Sequence, residues 1–183
     1  MENHVRDIPS PADCERILAA AGCAPAVVSH TRAVAQLARP IAQAIHAHGT
    51  PIDIDLVSAA AHLHDIGRSR TQGLDHALVG AQLLRAEGLP EALCLIVERH
   101  TGGGIDIEEA RLLGLPLKDY TPMTLEEKIV CQADNLIDDV RRQKVHEELA
   151  HLRARGLERV ATKIEGLHAE LSRLAGRDLD EIP

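Results

Sequence analysis

Apolar residues recur at three- and four-residue intervals along almost the whole chain, and strict alternation is nearly absent. That spacing lines side chains along one face of an α-helix, so the chain is expected to be all-α. The apolar set is aliphatic, with one Tyr and no Phe or Trp. Small and medium aliphatic side chains suit helix-on-helix packing. At 183 residues the chain can bury a real core. Two parts are expected: a helical domain over residues 1–140, and a charged helical extension over residues 141–183.

Punctuation marks the helices. Pro11 opens a short one that stops near Gly22, and Pro25 opens a long one running to His48, with a kink expected at Pro40. Asp53 or Asp55 caps a third that ends at Asp65, followed by a loop over 68–74. Asp75 caps a fourth ending at Gly88, and Pro90 begins a fifth that reaches His100. A short helix spans Ile107 to Leu113. Thr124 starts another, with Glu127 placed for a capping box, running to about Asp139. The charged remainder to about Ala175 is helical, with Gly156 and Gly166 as expected breaks.

Helical spacing also assigns directions to polar side chains. His30 lies on the stripe of Val27, Val34, Leu37, Ile41 and Ile45, and His64 on that of Val57 and Ala60. His76 shares a face with Val79, Gly80 and Leu83, His100 with Leu93, Ile96 and Val97, and Asp134 with Val130 and Ile137. Asp65 stands beside His64. Any one of these alone reads as a hydrogen-bonded core residue, or for Asp65 as a helix-end partner of Arg68 or Arg70. Together, two acids and four imidazoles aimed into one core are costly unless something neutralises them, and a shared cation does so. His46 and His62 fall off these stripes, His48 lies near one but at a fraying helix end, and His146, His151 and His168 lie among tail charges; all six are read as non-ligands.

His64-Asp65-Ile66-Gly67 resembles the signature of the HD superfamily of metal-dependent phosphohydrolases. The SHTRAVA segment holding His30 and the QADNLI segment holding Asp134 complete that family's H…HD…D pattern. DHALVGAQLL around His76 and VERHTGGG around His100 are similar to segments of bacterial HD proteins that hydrolyse diadenosine tetraphosphate. The order GLP…HTGGGI…LGLP…DYTP…EKIV is similar to small HDIG-motif proteins, several of them archaeal. The likeness covers about residues 24–140. One departure stands out: those hydrolases usually have Tyr after the last Asp, and here Asn135 follows Asp134.

The resemblance implies an all-α HD fold with five core helices and a binuclear centre, with His76 and His100 holding the second ion and Asp65 bridging. Imidazole and carboxylate donors without thiolate suit Fe, Mn, Zn, Co or Ni, and the resemblance favours Fe or Mn. A metal-activated water would then attack phosphorus in a small phosphorylated substrate. Arg68 and Lys128 are expected as supporting catalytic cations, with Arg70, Gly102 and Gly103 as substrate contacts. An HD-type di-iron oxygenase and a non-catalytic nucleotide-binding regulatory module are the competing readings.

A net charge of -8 argues against a nucleic-acid or anionic-membrane partner. No run approaches the roughly 20 apolar residues of a membrane span. The opening MENHVRDIPS lacks the apolar run of a leader, and no two of the four cysteines form a CxxC pair. A cytoplasmic protein with reduced thiols is expected. The extension can cover the core or pair two subunits as a homodimer.

Overall fold

In the computed structural model of the protein, residues 7–183 are described. Most of the opening stretch read for a leader therefore lies outside the described residues. The chain forms α1 (Pro11–Ala21), α2 (Pro25–Ala47), α3 (Ile54–Leu63), a 3-10 turn (Ile66–Ser69), α4 (His76–Ala86), α5 (Glu91–Glu98), α6 (Ile107–Leu112) and α7 (Leu125–Asn135). A hairpin of β1 (Ile137–Asp138) and β2 (Arg141–Arg142) follows, then α8 (Val145–Ala154), α9 (Glu158–Ala175) and a second 3-10 turn (Leu179–Glu181). The architecture is all-α, the hairpin apart.

Local chemistry explains the boundaries. Ser10 and Asp13 close a capping box over α1, and Gly22 ends it at a φ of 78°. Asp53 Oδ1 accepts from Leu56 N at 2.9 Å to start α3. α2 runs through Pro40 without interruption. Gly156, at a φ of 74°, separates α8 from α9, whereas Gly166 stays inside α9.

Several other expected boundaries and caps also differ. The stretch after Asp65 is a 3-10 turn before it is a loop. Asp75 does not cap α4, because its Oδ1 accepts from Thr71 Oγ1 at 2.9 Å. Thr124 caps α7, but the box does not close: the Glu127 carboxylate takes Arg99 Nη1 at 2.9 Å instead. The helix carrying Lys128 stops at Asn135, and the hairpin opens at Ile137.

Val34, Ile41 and Ile45 of α2 meet Val57 and Ala60 of α3, Leu93, Ile96 and Val97 of α5, and Ile129, Val130 and Ala133 of α7 in one buried cluster. Leu171, Ala175, Leu179 and Ile182 belong to that same cluster. The C-terminal segment thus folds back over α2 and α7. His168, expected among solvated tail charges, is buried there and paired with Asp178 Oδ1 at 2.9 Å. Among the described residues, no helix is long and apolar enough to cross a membrane.

Candidate metal centre

His30 comes from α2, His64 and Asp65 from the end of α3, His76 from the first turn of α4, His100 from the end of α5, and Asp134 from α7. Helical phase brings all six to one place. His30 Nε2 lies 3.0 Å and His64 Nε2 3.3 Å from Asp134 Oδ1. His76 Nε2 lies 3.1 Å and His100 Nε2 3.7 Å from Asp65 Oδ1. Donor atoms from His30, His64 and Asp65, from His64, His100 and Asp134, and from Asp65, His76 and His100 form three groups, each within 4.8 Å.

The outer ring nitrogens settle the protonation. Each Nδ1 faces a backbone carbonyl: His30 to Asp139 at 2.7 Å, His64 to Ala61 at 2.8 Å, His76 to Gly73 at 2.8 Å and His100 to Val97 at 2.7 Å. A carbonyl oxygen only accepts, so every Nδ1 carries a proton and donates it. In the neutral ring each Nε2 then presents a lone pair to the interior. His76 Nε2 and His100 Nε2 stand 3.1 Å apart with lone pairs converging. Buried His64 Nε2 and Asp65 Oδ1 have no hydrogen-bond partner. Lone pairs and carboxylates crowded this way repel one another unless cations lie between them. Outer acceptors that fix the tautomer are also what metal-binding histidines characteristically have. The donor set fits a divalent transition metal.

Charge follows the same logic. Burial opposes a proton on His64, but Asp134 and Asp65 outweigh it and hold the imidazolium up to about 9. Burial also opposes charge on Asp65 and Asp134. His64 holds both carboxyls well below their usual range, helped by His76 and His100 at Asp65 and by His30 at Asp134. Burial pushes His100 down, while contact with Asp134 raises His30 against burial. A cation on His64 must displace its proton. Metal affinity is therefore expected to fall as pH drops below about 9, by up to about tenfold per unit for one proton. Calorimetry at pH 7 in two buffers of different ionisation enthalpy should register that proton. Identical apparent enthalpies would sink this expectation.

Exposure is graded across the centre. The His64 and His100 side chains are buried, whereas Asp134 is 22% and His30 15% exposed. The mouth therefore opens on the His30 and Asp134 side.

The supporting residues divide. Arg68 reaches the centre: its Nε donates to Asp65 Oδ2 at 2.8 Å, and its Nη2 is 3.4 Å from His76 Nε2. The others have different partners. Lys128, read against Glu126 or Glu127 or as a catalytic cation, pairs with Glu170 of α9 at 2.8 Å. Arg70 donates to the carbonyls of Ala21 and Ser69. It lines a cavity of about 550 Å³ with Ile66, Leu83 and Leu89, which holds none of the six donors. Gly102 O accepts from Cys131 Sγ and Asn135 Nδ2, each at 2.8 Å. Gly103 packs so tightly on α9 that a Cβ would lie 2.3 Å from Lys163 Cβ. Both glycines thus serve packing between α7 and α9. Cys131 is buried, with its thiol pushed well up by burial. Of the non-ligands, His62 turns Nδ1 to Ser58 O at 2.8 Å.

The chain is 44% identical over 178 residues to a tRNA (cytidine(56)-2'-O)-methyltransferase of Thermoplasma volcanium, a match over 97% of this chain and 51% of that protein. The chain thus spans about half the length of that relative. It is 53% identical over 123 residues to an uncharacterised protein of Methanocaldococcus jannaschii, covering 67% of this chain and 73% of the other. The crystal structure of the L. monocytogenes phosphodiesterase PgpH HD domain with cyclic-di-AMP superposes with a TM-score of 0.53 at 18% identity, over 93% of this chain and 97% of that one. The HD-domain family profile matches residues 27–138, a span that runs from the α2 stripe holding His30 to the hairpin just past Asp134, and the chain belongs to the HD-domain family.

Proposed function

We propose that this chain is a metal-dependent phosphohydrolase acting on a phosphate ester or anhydride of a nucleotide or other small metabolite. The observation that carries the reading is the set of four inward Nε2 atoms around two carboxylates, each with its Nδ1 proton tied to backbone. His30, His64, Asp65 and Asp134 would hold one ion, and His76 and His100 a second, with Asp65 between them. Bound divalent cations acidify water and draw charge from phosphoryl oxygens. Iron or manganese is the expected metal.

The protein's own residues supply orientation. Asp65 is aimed by the Arg68 Nε contact at 2.8 Å. The remaining guanidinium N–H groups of Arg68 can meet phosphate oxygens. Substrate approaches past His30 and Asp134, the half-open side. Where the tetraphosphate hydrolases have Tyr, Asn135 directs its amide to Gly102 O and Cys131 O, each at 2.8 Å.

A panel of a cyclic dinucleotide, a short RNA, diadenosine tetraphosphate and a nucleoside monophosphate, assayed with Mn²⁺ or Fe²⁺, tests this reading. Release of a phosphorylated product is expected from the parent protein, with a loss of at least about a hundredfold in His64→Ala. Turnover that survives His64→Ala, or that persists in chelator, would refute it. A second reading draws on the half-length match: this chain corresponds to 51% of a relative named as a tRNA methyltransferase and would stand beside a further part in such a protein. There it would act as a regulatory module, and nucleotide affinity without turnover would favour it.

A further inference from the structure

Asp139 and Val140 form the turn between β1 and β2, with Ile137 paired to Arg142. Asp139 has a φ of +56°, and no other non-glycine among the described residues has a positive φ. Left-handed backbone brings Cβ against the following carbonyl, which L residues disfavour. Such a conformation persists where its surroundings over-determine it, and often where it serves a site.

Here the surroundings do so. Ile137 is buried in the core. Arg142 donates to Leu179 O at 2.6 Å and to Ile182 O, fastening β2 to the C-terminal turn. Gln143 N donates to Leu136 O at 2.9 Å, and its Nε2 to Asn135 O at 3.1 Å.

What the turn presents is a carbonyl. Asp139 O accepts from His30 Nδ1 at 2.7 Å, across 109 residues of sequence. His64, His76 and His100 each find their Nδ1 acceptor three residues back, within their own local structure. His30 alone of the four depends on a distant element for its orientation. The Asp139 carboxylate is not needed for this contact, and the residue is exposed.

We propose that the hairpin tip is a positioning device for His30. It acts through the left-handed backbone and carbonyl of Asp139, and it holds the ring with Nε2 toward Asp134. This inference rests on the metal reading above. It assigns the C-terminal segment a part in the site, since that segment anchors β2.

The test uses Mn²⁺ binding isotherms on the full chain. Asp139→Val, a β-branched residue ill suited to positive φ, should weaken by about tenfold or more the binding step that His30→Ala abolishes. The step that survives His30→Ala should stay within about twofold. Asp139→Gly and Asp139→Asn, which accept the conformation, should restore parental affinity. If the valine variant does not fold, Asp139→Ala is measured in its place, with the same sign expected. Equal affinities for the valine and glycine variants would overturn the proposal. So would loss in the glycine variant, or both steps weakening together. A parent protein that takes up no Mn²⁺ would overturn the metal reading as well; uptake with indifferent variants would overturn the hairpin's role alone.

Discussion

Asp65→Asn is expected to leave at most one weakly held metal ion per chain and to abolish turnover. Asp65 Oδ1 faces His76 and His100, while Oδ2 faces Arg68 at 2.8 Å and His64 at 3.9 Å. Both halves of the centre therefore share this one carboxylate. Losing a partner of a metal ligand costs about 10- to 100-fold in affinity, and loss of a shared ligand should reach the upper end or beyond. The metal-free fold should survive. An asparagine amide can donate to the inward lone pair of His76 Nε2, relieving some of the repulsion the carboxylate now meets. Elemental analysis after dialysis against Mn²⁺, set beside a thermal melt by circular dichroism, checks both halves. Two retained equivalents would contradict the shared-ligand geometry.

The second large effect is expected at Gly67, the last residue of the HDIG stretch. A Cβ built there would lie 1.9 Å from His76 O and 2.7 Å from Gly80 N. Both are backbone atoms, so no side-chain rotation relieves the clash. Gly67→Ala must push the start of α4 outward, and His76 is its first residue. Overpacking of this kind costs about 3 kcal/mol, the upper end of its usual range. For a chain of this size that corresponds to a fall in melting temperature of roughly 10 °C. Metal uptake at His76 and His100 should weaken in parallel. Gly80→Ala meets its nearest neighbour, Val97 Cγ1, at 3.1 Å and should be milder. A Gly67→Ala protein that melts with the parent would show that α4 has room to move.

The signature glycine is thus explained by contact between two backbones, not by a turn. Its place after His64 and Asp65 could be read in the chain, but its reason could not. Gly67 matters only because α4 crosses the 3-10 turn at that point. The same holds for the supporting cations. Arg68 lies three residues after Asp65 and reaches it within the same turn. Lys128 has a long side chain whose partner depends on which helix packs alongside. Sequence proximity suggested Glu126 or Glu127, and the return of α9 supplied Glu170. Arg70 was diverted by the end of α1, and the Gly102–Gly103 stretch by α7 and α9.

The hairpin left no periodic trace because its strands are two residues long. Asp139 acts through a main-chain atom common to every residue type. His168 was placed among solvated charges because its neighbours in sequence are charged. It is buried because α9 packs on α7, where its Nδ1 meets Gln132 Nε2 at 3.4 Å.

Helical phase is a local property, and the chain alone therefore determined which faces of α2, α3, α4, α5 and α7 are apolar and which polar side chains share them. Only the folded chain decided that those faces meet, which carbonyl holds His30, and which partners draw Lys128 and Arg70 away from the centre. Those outcomes depend on contacts between residues as far as 109 positions apart, and no local spacing encodes them.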